Sequence, residues 1–140
     1  MRGTRFNIIL GFLLLAIPLL LASIYWYNKP HLDVKQAEAS YVLTAQNLID
    51  EYQENEIATN EKYSESVILV KGRVFEVSTL KGNSVITLKD EDSESSIICH
   101  LLPEENGKVL NLKVGQDIGI KGICTGYLLD VIMVRCTIVE

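Results

Sequence analysis

Cys99, Cys124 and Cys136 are the residues whose chemistry would matter most in this chain. A thiol redox centre wants two cysteines two residues apart, or one thiol beside a base that lowers its pKa, and neither arrangement occurs. His100 adjoins Cys99, but neighbours on a strand point to opposite faces, so the two cannot share a metal or a proton. His31 lies far away along the chain. Glu76, Asp90, Glu104 and Asp130 sit in no apolar setting that would raise a carboxyl pKa for acid catalysis. Ser64, Ser66 and Ser84 lack a glycine-flanked elbow or a histidine partner in register. The residues therefore predict no catalysis, no metal and no cofactor. A disulfide is the exception. A hairpin centred on Asp130 places Cys124 opposite Cys136, and that pair would close a loop of about a dozen residues, leaving Cys99 as a buried thiol. The alternative is three small core residues.

Three kinds of element must carry these groups. Ile8 to Tyr27, IILGFLLLAIPLLLASIYWY, holds no charge over 20 residues. At a rise of about 1.5 Å per residue it spans roughly 30 Å, the hydrocarbon thickness of a bilayer. Arg2 and Arg5 precede it and Tyr25, Trp26 and Tyr27 close it, so the positive-inside rule predicts a single-pass span with the N-terminus in the cytoplasm and the remainder periplasmic or extracellular. A leucine stands where signal cleavage would want a small residue, at Leu20-Leu21-Ala22, which favours a retained signal anchor. All 18 acidic residues but only 10 of the 13 basic ones follow residue 30, leaving the outward part with a net charge of −8. Such a domain repels phosphate backbones, and nucleic acid is not expected as a partner.

The remaining length suits one small domain. The chain divides into an anchor (1–29), a polar spacer (30–44), a helical segment (45–63) and a β domain (64–140). Thr44 can cap a helix from Ala45 to about Glu61, with Leu48, Ile49 and Tyr52 as its apolar stripe. From Val67 the period is two. Ile68, Val70, Gly72 and Val74 share a face until Phe75 and Val77 take over on the other parity, which marks a bulge or bend beside a glycine. Val85 to Lys89 and Ser95 to Leu102 read as the next strands, PEENGKVLNL as a connection with a short helical piece, and Asp117 to Thr125 and Asp130 to Val139 as a closing hairpin. Ile132, Val134, Cys136 and Ile138 would line one face of the last strand. A bent strand, a meander, a helical connection and a hairpin make a five-stranded Greek-key barrel, the OB-fold, with an antiparallel sandwich as the alternative.

In these residues the chain resembles the tRNA_anti-like family, an OB-fold family of bacterial membrane-anchored and lipoprotein-like proteins. The resemblance rests on Asn55-Glu56, Ala58 and Tyr63, VKGRV at Val70 to Val74, IICHL at Ile97 to Leu101, GQDIGIKGICTG at Gly115 to Gly126, and Cys136, and it covers roughly residues 45 to 139. It implies the barrel and an envelope location and implies no reaction. The expected function is a binding or adaptor module whose open face meets an envelope protein or a saccharide, with Lys71, Arg73, Glu76, Ser78, Thr87 and His100 as the polar candidates. Two other readings stand beside it. Periplasmic haem chaperones share an anchor and an OB barrel, but they use a histidine-tyrosine pair in a C-terminal tail, and here no histidine follows His100. Oligonucleotide binding needs a basic groove with stacking aromatics.

Overall fold

The computed structural model describes residues 2–28 and 32–139. Lys29, Pro30 and His31, read above as the end of the anchor and the start of the spacer, lie outside the described residues. The chain divides into two compact units, Met1–Leu32 and Asp33–Glu140. The first contains α1 (Arg2–Tyr27), whose stretch Asn7–Tyr27 is long and apolar enough to cross a bilayer. Its apolar side chains are exposed on every side of the helix, as they are in a membrane span or a signal sequence.

The second unit starts with a turn. Asp33 accepts from the N–H groups of Lys35, Gln36 and Ala37, and Val34 between them is buried. Tyr41–Thr44 then forms β1, which runs parallel to the first half of β2 (Val67–Leu80) with Tyr41 beside Ile68 and Thr44 beside Lys71. The expected spacer over 30–44 therefore contributes a strand. Its alternation of half-buried and exposed residues is only four residues long, too short to register as a period.

Thr44 caps α2 (Ala45–Glu54) by accepting from Asn47 N–H at 3.2 Å. The helix stops earlier than expected. Asn55 leaves helical geometry and turns its side-chain oxygen to the N–H of Ala58 at 3.1 Å, which opens a second helix, α3 (Glu56–Tyr63). Asparagine competes with the helix backbone in this way, so one continuous helix becomes two. Leu48, Ile49, Tyr52 and Tyr63 are buried under these helices.

β2 pairs with β5 (Asp117–Leu128) through its first half and with β3 (Asn83–Leu88) through its second. The register slips between Val74 and Glu76, which is the bulge that the parity switch predicts. β3 pairs with β4 (Ile97–Leu101), β4 lies parallel to β6 (Asp130–Val139), and β6 pairs with β5. The β2–β5 pairing closes this order, β2-β3-β4-β6-β5, into a five-stranded barrel with β1 added outside. Closure removes the sandwich alternative. Between β4 and β5 come a 3-10 turn (Pro103–Glu105) and α4 (Asn106–Val109).

The closing hairpin differs from its expected register. Its tip is Leu129, with φ 79°, and Leu128 pairs with Asp130. Asp130 accepts from Ser96 N–H at 2.7 Å and Ser96 Oγ at 2.8 Å, so it fastens the hairpin to the approach to β4. The pairing slips twice, between Lys121 and Ile123 and between Cys124 and Gly126. The first slip coincides with Arg135 in left-handed geometry, φ 55°. As a result Val131 and Met133 face the core, whereas Ile132 and Val134 are only half-buried; the even-numbered face regains its inward place at Cys136 and at Ile138, which is half-buried against the core opposite Ile120.

Candidate binding groove

The same slips undo the expected disulfide. Cys124 lies opposite Met133, not Cys136. Cys136 packs against Gly122, where a Cβ would stand 2.5 Å from its sulfur. All three thiols are free and buried. Burial raises the pKa of Cys124, and the Tyr52 hydroxyl, 3.3 Å from its sulfur, offsets only part of that. Burial, with the Cys99 thiol beside it, raises Cys136 well above its ordinary value. Nucleophilic thiols need the opposite shift. Among the described residues no three metal-ligating side chains gather.

The outer surface offers more. A concavity of about 950 Å³ opens along β2 and β5 beside the β4–β5 connection. Leu69, Leu112, Ile118, Ile138 and Val139 form its apolar part. Lys71 and Arg73 stand on it because the first half of β2 turns its even-numbered residues inward and these outward. Gly72 between them allows the start of α2 to approach: a Cβ there would lie 2.8 Å from that of Ala45. Lys108, Asn111 and Gln116 arrive from the β4–β5 connection, and Asp90 and Asp117 bring the opposing charge. Arg73 Nε meets Asp117 Oδ1 at 3.7 Å. No described residue lining the groove is aromatic or histidine.

The six sequence candidates thus separate. Lys71 and Arg73 share the groove. Glu76, Ser78, Thr87 and His100 do not line it; Glu76 pairs with Thr87, and Ser78 and His100 both pair with Val85, so these four occupy the outer face of β2, β3 and β4. Lys108, Asn111 and Gln116 escaped sequence reasoning because a connection has no period to show which way a side chain turns.

Beside the groove lies its firmest charge. Glu105 has no exposed side-chain surface. Its Oε2 accepts from Ile138 N–H at 3.1 Å and meets Lys108 Nζ at 3.1 Å, while Lys35 Nζ stands 3.0 Å from Oε1. Burial alone would raise its pKa, but Lys35, the Ile138 N–H and Lys108 together outweigh that and hold it at about 2. Lys35 also reaches Glu104 at 3.5 Å, and Lys121 donates to the carbonyls of Lys35 and Ala37 at 2.9 Å. The turn at 33–37 is therefore fastened to the barrel through charge. A smaller open concavity, lined by Lys35, Lys108 and Lys121, adjoins this cluster.

The tRNA_anti-like family model matches residues 1–138, which extends through α1. No curated protein matches the chain in sequence. Among solved structures, it is similar to a lipoprotein from Klebsiella pneumoniae subsp. pneumoniae MGH 78578 to which nucleic-acid binding is provisionally ascribed, with 13% identity over 70% of this chain and 91% of that one and a TM-score of 0.58. It is also similar to a chain of the S. pombe Stn1-Ten1 complex (12% identity, 53% and 58% covered, TM-score 0.42). An OBody bound to hen egg-white lysozyme is a third (16%, 56% and 86% covered, 0.44). At such identities the first likeness concerns the fold alone.

Proposed function

The chain belongs to the tRNA_anti-like family, and from that premise we propose that it is a membrane-anchored, extracytoplasmic binding or adaptor module without catalytic activity. The observation that carries this is the groove, where Lys71, Arg73, Lys108, Asn111 and Gln116 meet around an apolar floor. Convergent polar groups over apolar surface are how a binding site fixes orientation and gains affinity together. The partner is an envelope protein or a saccharide. A photo-cross-linking residue at Asn111 in intact cells should yield a defined adduct that the same residue at Glu76, outside the groove, does not. Replacing Lys71 and Arg73 by Glu should abolish it. Equal adducts from both positions would sink the groove as the site.

Placement outside the cytoplasm rests on Arg2 and Arg5 before the span. Fusions at the C-terminus should give active alkaline phosphatase and a dim cytoplasmic fluorescent reporter.

Oligonucleotide binding is the second reading, favoured by what is ascribed to the Klebsiella lipoprotein. The net negative domain and the absence of aromatic lining weigh against it. Titration with labelled single strands at low salt is expected to show nothing tighter than about 10 μM. Tighter binding that weakens with salt and disappears in the Lys71→Glu/Arg73→Glu variant would replace the adaptor reading. The cofactor-chaperone reading finds no histidine on the groove to serve as its ligand.

A further inference from the structure

The β4–β5 connection ends in two tight turns, and each presents an exposed aliphatic side chain. Asn111 N–H reaches the Lys108 carbonyl at 3.3 Å with Leu110 at the bend, and Gln116 N–H reaches the Lys113 carbonyl at 3.1 Å with Val114 and Gly115 at the bend. Leu110 is 86% exposed and Val114 70%. Gly115, at φ 88°, takes the corner that disfavours a side chain. Its N–H donates to the Val74 carbonyl at 2.7 Å, so Val114 and Phe75 flank one bonded pair, and Phe75 is 51% exposed. Lys113 precedes Val114 in the chain, and Lys89 Nζ lies 5.4 Å from the centre of the Phe75 ring. Neither lysine has an ion pair among the described residues, whereas Asp117 is met by Arg73 and Glu105 by Lys35 and Lys108. Of the described carboxylates on the groove wall, Asp90 alone stays unmatched. Leu128 and Leu129 at the tip of the closing hairpin are as exposed, but Asp130 follows them and no lysine adjoins them in the chain.

We propose that these tips dock on the lipid–water interface of a bilayer carrying anionic phosphate headgroups. Leu110, Val114 and Phe75 enter the boundary between headgroups and acyl chains, and Lys89 and Lys113 meet the phosphates. Docking in this sense rests on the membrane-anchored reading above. Residues 28–32 alone join α1 to the barrel unit. So short a tether keeps the tips at a high effective concentration beside lipid, where a contact too weak to recruit a free protein is enough. Apolar side chains that protrude one by one suit a fluid boundary, which closes around each of them, whereas a protein partner would need a matching hollow for every tip. Lysine adds to this, because its alkyl stem lies along apolar surface while its ammonium stays among the headgroups. Asn111 and Leu112, which line the groove, lie between the two tips in the chain. Docking therefore opens the groove at the lipid surface.

The three native thiols are buried, so a single introduced cysteine can be labelled selectively in the full chain. Leu110→Cys and Val114→Cys, with the equally exposed Leu128→Cys and Ile57→Cys as controls, should carry an environment-sensitive nitrobenzoxadiazole label. Each is reconstituted into liposomes of phosphatidylcholine and phosphatidylglycerol that include a lipid with a nitroxide near the top of its acyl chain. Labels at 110 and 114 should shift to the blue and lose about half their emission, as befits a side chain about 5–10 Å into the boundary. Those at 128 and 57 should do neither. Lys89→Glu with Lys113→Glu should lower the quenching at 110. Equal quenching at all four positions, or none at 110 and 114 in a chain that floats with the liposomes, would overturn the docking. A chain that does not float with them would overturn the anchored reading and the docking with it. Quenching that is unchanged in phosphatidylcholine alone would overturn the choice of an anionic surface. Positions 110 and 114 left unquenched in liposomes, yet shielded from a membrane-impermeant maleimide in intact cells, would replace lipid by a protein as the occupant.

Discussion

Glu105 and Cys136 are both completely buried, and the barrel accommodates them in opposite ways. Around Glu105 it adds groups: two ammonium groups and a backbone N–H come from three separate segments. Around Cys136 it removes one, by placing Gly122 where any other residue would collide with the sulfur. A buried charge needs partners because desolvation otherwise neutralises it. A buried thiol behaves as a small apolar group and needs only space. The lesson is that the first site fails when a partner is lost and the second when an atom is gained.

The largest effect should come from the second. Gly122→Val places atoms 2.5 Å from Cys136 Sγ and 3.2 Å from the Val134 carbonyl, and should cost about 3 kcal/mol in denaturant unfolding. The smaller Gly122→Ala should cost about 2 kcal/mol, and Cys136→Ala in the same chain should recover part of that. An unchanged midpoint for Gly122→Ala would show that the contact relaxes freely.

Next in size is the loss of charge at Glu105. Because its folded pKa is lowered to about 2, its ionised form stabilises the fold at pH values above the ordinary carboxylate range. That contribution declines as pH falls from about 4.5 toward 2, and it amounts to about 2 kcal/mol once screening of the half-exposed lysines is allowed for. Glu105→Gln should lose a similar amount at pH 7 and show a flatter acid limb in thermal melts. A wild-type limb as flat as that of the variant would break the comparison. Lys35→Ala should cost less than Glu105→Gln, because its ammonium is partly solvated and Lys108 remains.

The smallest stability effect belongs to the groove. Lys71→Glu with Arg73→Glu should change unfolding by about 0.5 kcal/mol or less, because both side chains are exposed and their Arg73–Asp117 contact is long. Binding, not folding, is what this variant should alter. A large loss of stability would mean that the groove cations are structural.

The legible and illegible parts of the chain divide along physical lines. Inward alternation at Ile86 and Leu88, and at Ile97, Cys99 and Leu101, placed two strands of the meander correctly, and the parity switch after Val74 placed the bulge. Lys71 and Arg73 were visible as the outward residues of a strand whose face was known. What escaped was geometry held by tertiary context. Leu129 and Arg135 both adopt positive φ, a conformation for which the sequence would lead one to seek glycine, so neither the hairpin tip nor the slip on β6 had a local signature. The break at Asn55 had a signal in its residue type, overridden in the reading by the continuing helical composition around it. Nothing in the sequence singles out Glu105, because its burial as a charge depends on Lys35 and Ile138, distant along the chain.

The strand at Tyr41–Thr44 has a practical consequence for where a soluble fragment can begin. Starting at Ala45, the first residue of the helix that Thr44 caps, strips the first half of β2 of one of its two neighbours and exposes a row of unpaired backbone groups ready to join another chain. It also discards Val34 and the ammonium opposite Glu105. A fragment beginning at Asp33 keeps all three, and should remain monodisperse where the shorter one self-associates.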